Sequence, residues 1–529
     1  MTEITGDILM GGEALAGATR RHKAIDPKRG KNLEPAFAFA DEADVDRAAR
    51  LAYAGFDTFR DTDLETRARF LEGIAAAIED IGEALIDRAA LETGLSPRRL
   101  GIEKARTTGQ LRLFASVVRA GEWLDLRHDT ALPDRMPFPR PDIRLRQIGV
   151  GPVAVFGASN FPLAFSVAGG DTAAAFAAGC PVIVKGHPAH PGTGELVGRA
   201  IQAAVAAAGL PPGVFALLNG EIATGTALVR HPLVKSVGFT GSRGGGLALM
   251  AISAARAEPI PVHAEMSSIN PVFVLPAALA ERTEAIARGF VDSLALDGGQ
   301  YCTNPGLVYA VDGPDLEAFL AHVEAALAGK PAEAMLTPGI HAAFDKGLGI
   351  LEAHPDVQTL GRGRDGTDAN ATPPAVFLTD AERFEADETL GHEVFGASSM
   401  IVRCESIAAM LEAAERMEGQ LTATLQLDAG DIDDARRLLP VLERRVGRIL
   451  ANSWPTGVEV SHAMVHGGPF PATADSRFTS VGTLSIRRFL RPVSYQNLPE
   501  ALLPDVLKSE SLPRLVDGRR QPAGAQLDV

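Results

Sequence analysis

Between residues 151 and 265 the chain reads GPVAVFGA (151–158), CPVIVKG (180–186), VFALLNG (214–220), VKSVGFTG (234–241) and PIPVHAE (259–265). Helical stretches fall between these runs, near 163–178 and 191–208, followed by two shorter ones. Short, nearly continuous apolar strands joined by helical crossovers are what a parallel sheet covered on both faces requires. The pattern predicts a doubly wound α/β domain. In such sheets ligands bind outside the carboxyl ends of the strands. Asn160, Lys185, the FTGS turn at 239–242 and Glu265 all fall at that edge.

Upstream, residues 42–120 read as amphipathic helices: DEADVDRAARLAYAGFDTF, then DLETRARFLEGIAAAIEDIGEALIDRAALETG as one long helix, then a third after Pro97. From 126 to 149 the character changes, with Pro133, Pro137, Pro139 and Pro141 followed by the alternating segment DIRLRQIGV, which predicts an extended arm or hairpin. Downstream, a second α/β unit over 268–470 begins with NPVFVL and a helix at 279–296. It carries Cys302 in the loop GGQYCTNPG (298–306), so the pocket is expected between two domains. Beyond 471, SVGTLSIRRFLRPVSYQNLP predicts a strand that joins the earlier arm, and a polar end containing DGRRQPAGAQ follows.

A chain of 529 residues outgrows a single core, so two or three domains are expected. A formal charge of -15 with no Lys/Arg run argues against a nucleic-acid surface. The start, MTEITGDILMGGEALAG, is acidic where a secretory signal is basic, and no span of about 18 apolar residues occurs, so a cytoplasmic protein without a membrane partner is expected. Three scattered cysteines, Cys180, Cys302 and Cys404, are too few for a disulfide framework or a structural zinc site, and no metal is expected.

Each candidate has two readings. Cys302 lies in a loop too polar and Gly-rich for ordinary packing, where a nearby base or helix terminus would make the thiol a competent nucleophile; free cysteines are otherwise buried hydrophobes. Glu265 ends an apolar strand, where burial would raise its pKa toward neutrality and suit it to general base work; alternatively it is a capping or ion-paired Glu. Asn160 at a strand end is either an oxyanion donor or a turn residue. FTGSRGGG puts a Gly-rich turn between strand and helix, where free N–H groups meet a phosphate, although it lacks the GxGxxG spacing.

Taken together, these segments resemble the aldehyde dehydrogenase superfamily through most of the chain. The family's motifs match at SNFP with Asn160, IVKGHP with Lys185, FTGS with Gly241, Ser242 and the later Gly246, HAEMSS with Glu265, GQYCTNPG with Cys302, EVFG with Glu393 and Phe395, and GRILANSWPTGV. The resemblance implies an aldehyde dehydrogenase-like fold. Residues 1–125 and 151–267 would form an NAD(P)-binding domain, 268–470 a catalytic domain, 126–150 and 471–500 a small β oligomerisation arm, and 501–529 a C-terminal tail. It implies that Cys302 attacks an aldehyde, that its own N–H and the Asn160 amide hold the oxyanion, and that Glu265 activates the water that hydrolyses the thioester. Lys185, Gly241, Ser242, Gly246, Glu393 and Phe395 would contact the cofactor.

Two departures mark a subfamily. KGHPAHPG lacks the acidic residue that in many members binds the adenosine ribose, which makes NADP the expected cofactor and NAD the alternative; His187 would assist or be a plain turn histidine. The base motif reads EMSS rather than ELGG. With KGHPAHPG, the run HGGPFPATADSRFTSVGTLSIRRFLRPVSYQNLPEALLP resembles the branch containing α-ketoglutaric semialdehyde (2,5-dioxopentanoate) dehydrogenases, which also includes enzymes for fatty aldehydes. A substrate carboxylate needs a cationic or multi-donor partner. Arg477 is the candidate, with a tie to a neighbouring domain as the other reading. Phe161 and Phe165 either wall the tunnel or belong to the core. The family implies a homodimer or homotetramer in which arm and C-terminal strand extend a neighbour's sheet. A CoA-acylating enzyme is disfavoured by Glu265, and a non-catalytic binding protein by the presence of all three catalytic residues.

Overall fold

The computed structural model describes residues 3–17 and 21–524. The five runs form parallel strands Val153–Phe156, Val182–Gly186, Phe215–Asn219, Ser236–Thr240 and Val262–Glu265. Numbered one to five along the chain, they lie in the order 5-4-1-2-3. The crossover direction therefore reverses at Val153–Phe156, which opens a crevice at its carboxyl end, beside Asn160. An antiparallel hairpin, Ile8–Met10 with Glu13–Leu15, extends the sheet beyond Phe215–Asn219.

The helical lead-in is present as Glu42–Arg60, Leu64–Ile81, Glu83–Thr93 and Pro97–Ala120. Asp41, Asp63 and Ser96 accept hydrogen bonds from the first free backbone N–H groups of their helices. The segment read as one long helix is broken at Gly82, whose φ of +67° no helix interior accommodates. The break re-aims Glu83–Thr93, which places Glu92 against the start of the helix Pro191–Ala207; there its carboxylate accepts from the N–H groups of Gly192 and Thr193, 2.8 Å each.

Beneath these helices Phe59, Phe70, Phe176 and Phe215 stack edge to face, with neighbouring centroids 5.1–6.5 Å apart. The small-residue helix Gly170–Ala177 is buried throughout its length, and its alanines let it lie directly on the sheet.

A second seven-stranded sheet runs in the order Gln358–Arg362, Ala375–Asp380, Ser398–Cys404, Leu307–Val311, Val272–Val274, Gln420–Gln426, Val446–Ala451, parallel apart from its first strand. The third sheet is the arm. Leu490–Gln496 pairs antiparallel with Ile143–Gly149, the junction expected from the sequence, and Arg127–Asp129 pairs on the other side. Over its described part the polar end carries a hairpin, Arg514–Val516 with Arg519–Gln521, that adds to Arg127–Asp129. Its alternation is too short to be read as strand without that template. No described helix is long and apolar enough to cross a membrane.

Candidate active site

Cys302 lies in the loop between the helix Pro276–Ala295 and the strand Leu307–Val311. The loop is held by Asn270, fully buried at φ +48°, a conformation Asn tolerates better than most side chains. Its Nδ2 donates to the carbonyls of Cys302 and Asn304, 2.9 Å each, while its Oδ1 accepts from Ser268 at 2.9 Å and Thr422 at 3.2 Å. One side chain thus fixes the backbone on both sides of Thr303. The Cys302 N–H has no acceptor among the described residues.

Asn160 ends the first strand's loop, and its Nδ2 donates to the Gln300 carbonyl at 3.1 Å, which brings the amide to the cysteine loop. Phe161 and Phe165 follow, half-buried, their rings edge to face at 5.2 Å; Phe161 also meets Tyr301 at 5.6 Å.

Glu265 ends its strand 3% exposed. Residues 472–474 cross that end: Met266 N–H donates to Ala472 O at 2.8 Å and Ala474 N–H to Ala264 O at 2.9 Å. This crossing delivers two groups the sequence reading missed. Ser480 Oγ donates to Glu265 Oε2, and His466 Nε2 lies 2.8 Å from Glu265 Oε1 and 3.3 Å from Cys302 Sγ. The carboxylate oxygen Oε1 sits off the line of a hydrogen bond, and His466 Nδ1 is buried with no bond to any described residue. Cysteine, histidine and glutamate are thereby gathered with their reactive atoms within 4.8 Å of one another. The sequence held a signal for His466, a histidine opening the Gly-Gly-Pro turn of HGGPFP, but nothing local said what it would face.

The electrostatics correct one expectation. Burial does push the Glu265 carboxyl up, but His466, Ser480 and Cys302 together outweigh it and leave Glu265 below its ordinary value. Burial drives the Cys302 thiol well above its usual range, and the negative Glu265 adds to this, with Arg106 opposing. The site therefore rests as thiol and carboxylate. Cys180 and Cys404 are buried in the cores, where desolvation raises their thiols to about 11 and about 12.

The cofactor-side candidates fall around the crevice. Ser242 caps the helix Arg243–Ala254, its Oγ accepting from Gly245 N–H at 3.2 Å, and Gly241, Ser242 and Gly244 are exposed, leaving a helix N-terminus open to an anion. Gly246 sits where a Cβ would meet the Met266 side chain at 2.6 Å and Ala264 Cβ at 3.3 Å, so a larger residue there requires Met266 to move as the helix closes on Val262–Glu265. Burial lowers the Lys185 ammonium to about 8, with Glu221 opposing, and Lys185 has no ion pair among the described residues. His187 is pushed well below its usual value by burial, then by His190 and Lys185, so it is neutral; its Nδ1 accepts from Ala189 N–H at 3.1 Å. Glu393 and Phe395 line a cleft with Ser268 and Tyr301, and burial raises Glu393 to about 7. These features fit a dinucleotide: open N–H groups for phosphate, an unpaired ammonium, and a carboxyl poised beside the cysteine loop.

Arg477 is placed elsewhere than the reading required. Its side chain is 80% exposed and paired to Asp475, Nε to Oδ1 at 2.9 Å, because two residues of chain are enough to close that pair in solvent.

Comparison with known proteins gives a consistent result. The aldehyde dehydrogenase family profile matches residues 15–469. Alpha-ketoglutaric semialdehyde dehydrogenase 2 of Azospirillum brasilense is 56% identical over 98% of this chain and 100% of its own length, and alpha-ketoglutaric semialdehyde dehydrogenase of Acinetobacter baylyi is 45% identical over 98% and 99%. Among solved structures, a 1-pyrroline-5-carboxylate dehydrogenase superposes with a TM-score of 0.78 at 22% identity, over 93% of this chain and 92% of that one. Aldehyde dehydrogenase C of Pseudomonas syringae, solved as a mutant with NAD+ and octanal, gives 0.78 at 20% identity, over 94% and 98%.

Proposed function

We propose, from the premise that this chain belongs to the aldehyde dehydrogenase family and is an oxidoreductase, that it oxidises 2,5-dioxopentanoate to 2-oxoglutarate. The similarity of nearly its whole length to two alpha-ketoglutaric semialdehyde dehydrogenases carries this reading. NADP is the proposed cofactor, with NAD as alternative: KGHPAHPG offers no carboxylate to repel a 2′-phosphate, and Lys185 offers an ammonium. Lys185, His187, Gly241, Ser242, Gly246, Glu393 and Phe395 are the proposed contacts, and a neutral His187 contributes a hydrogen bond rather than charge.

In the proposed mechanism the Cys302 thiol gives its proton to the neighbouring His466 and Glu265, which pass it on to solvent, as the sulfur adds to the aldehyde carbon, and the oxyanion is held by the Cys302 N–H and the Asn160 amide. A nicotinamide held by the proposed contacts would supply the hydride acceptor, and the product left on Cys302 is then a thioester. Glu265 then takes a proton from water, the hydroxide adds to the thioester, and the acid leaves as the Cys302 sulfur is regenerated.

The thiol's raised pKa demands a proton acceptor at the site, and Glu265 and His466 both lie within reach of the sulfur. With His466→Phe, Glu265 loses the neighbour that opposes burial, so its pKa rises and the acid limb of kcat moves to higher pH. Alkylation of Cys302 by iodoacetamide at neutral pH is expected to slow roughly tenfold, since a pair reduced to one acceptor forms less thiolate. Unchanged pH profiles in that variant would leave His466 a packing residue only.

The substrate reading is tested by initial rates with NADP and NAD on 2,5-dioxopentanoate, succinic semialdehyde, glutaraldehyde and hexanal. A higher kcat/KM for the dioxo acid supports it, and a higher one for hexanal reassigns the chain to fatty aldehydes with the same chemistry. We place the enzyme in the cytoplasm as a homodimer or homotetramer. Leu490–Gln496 and Val446–Ala451 each end a sheet with one side unpaired among the described residues, the kind of edges two subunits join. The division into cofactor domain (1–125 and 151–267), catalytic domain (268–470) and arm is likewise our reading.

A further inference from the structure

Helix Pro97–Ala120 presents Arg99, Glu103, Arg106 and Gln110 at steps of four, three and four, one face of a helix. That face meets the loop carrying Asn160, Phe161 and Phe165. Glu103 is used up there: Oε1 accepts from the N–H groups of Leu163 and Ala164, 2.9 Å each, and Oε2 binds Arg99. Arg99 is used up as well, with Nε donating to Tyr301 Oη at 2.9 Å and lying 3.1 Å from Asp297 Oδ2.

Arg106, one turn on, has no such partner. Its guanidinium lies 5.1 Å from the Phe165 ring centroid and 6.0 Å from that of Phe161. Its Nε and one Nη are buried and bonded to no described residue. No described carboxylate lies within ion-pair distance of it; Glu103 is the strongest charge acting on it from farther off, followed by Cys302, with Glu265 also felt. Arg448 is the other cation felt at Cys302, but its two Nη groups are spent on the carbonyls of Gly457 and Pro455, at 2.8 and 2.7 Å.

A half-buried cation with two buried, unbonded donors and no carboxylate at ion-pair distance is costly to keep unless something arrives to pair with it. The planar guanidinium fork matches a carboxylate with two parallel hydrogen bonds. Phe165 links this cation to the reaction centre, since its ring also lies 6.3 Å from that of His466, whose Nε2 touches Cys302 Sγ.

We propose that Arg106 binds the carboxylate at the far end of an acid-aldehyde substrate, with Phe161 and Phe165 flanking the carbon chain between that carboxylate and Cys302. The proposal rests on the reading of the substrate as a semialdehyde acid, and it takes the role that the sequence had suggested for Arg477. Arg106 then sets specificity: an uncharged aldehyde leaves the guanidinium unpaired.

The test compares wild type, Arg106→Met and Arg106→Lys on 2,5-dioxopentanoate, succinic semialdehyde and hexanal. Arg106→Met is expected to lower kcat/KM for both acid aldehydes roughly a hundredfold, chiefly through KM, the scale on which a desolvated charge pair loses one member. Whatever the lost charge does to the Cys302 thiol acts on all three aldehydes alike, so the readout is the ratio of acid aldehyde to hexanal, which should fall by most of that hundredfold, while residual hexanal turnover reports a folded site and Arg106→Lys should recover part of the ratio. If wild type prefers the acid aldehydes and Arg106→Met keeps that preference, the assignment of Arg106 fails while the substrate reading stands. An equal loss on hexanal and the acids also overturns it, because Arg106 then acts on the Cys302 thiol. If wild type itself prefers hexanal, the substrate reading is what fails.

Discussion

Cys302→Ala is expected to lose at least about four orders of magnitude in kcat/KM, or about 5.5 kcal/mol of transition-state stabilisation, because no second group can form the covalent intermediate. The loss should appear without unfolding. Asn270 holds the loop through the Cys302 carbonyl, not its side chain, and Asn160 reaches the neighbouring Gln300 carbonyl, so both anchors survive the substitution. Melting temperatures should therefore agree closely. Cys180→Ala and Cys404→Ala provide the contrast, since both thiols lie in the hydrophobic cores far into the basic range, and neither should abolish turnover. Iodoacetamide should label wild type once per chain, at Cys302, with the rate rising toward alkaline pH as the raised thiol ionises. Retained activity in Cys302→Ala would sink the covalent mechanism.

The second large effect falls on the other half of the cycle. Glu265→Gln keeps the shape of the side chain and its bond with Ser480, and leaves His466 to take the thiol proton. Acylation should proceed and deacylation should stall. Rapid mixing should show a burst of about one equivalent of reduced cofactor per subunit, followed by a steady rate reduced by roughly 10²–10⁴, the usual contribution of a positioned base. Intact-protein mass spectrometry should find the acyl group on Cys302. The sign of the wild-type acid limb follows from the depressed carboxyl: Glu265 stays ionised throughout and above the ordinary glutamate range, so its protonation costs activity only on the acid side of that range. Loss of the burst along with the steady rate would mean that Glu265 serves thiol activation rather than hydrolysis.

Much of this site was legible in one dimension because its parts are local. The five strands of the first sheet were readable since a strand buried on both faces must be a continuous apolar run, whatever it packs against. Asn160, Lys185, Ser242 and Glu265 follow from those strands, because each lies at or shortly after a strand's carboxyl end, the edge on which the crevice opens. Gly82 was misread for a related reason: within an apolar helical period a glycine looks like a tolerated interior residue, and only its φ of +67° reveals the break.

What the sequence by itself determined, then, is the doubly wound sheet, the order of elements, and the positions of the candidate glutamate and asparagine at strand ends and of the candidate cysteine in a Gly-rich loop, each specified by neighbours a few residues away. Only the tertiary structure decided what surrounds them. His466 meets Cys302 across 164 positions and Ser480 meets Glu265 across 215, contacts set by how a late loop crosses a strand end. Arg106 is left unpaired because Glu103 is consumed by backbone 60 and 61 residues downstream, while Arg477, the arginine singled out in sequence, finds its carboxylate two residues away. Whether a charged side chain is free or spoken for depends on every group within reach in three dimensions, and burial fixes what leaving it unpaired costs.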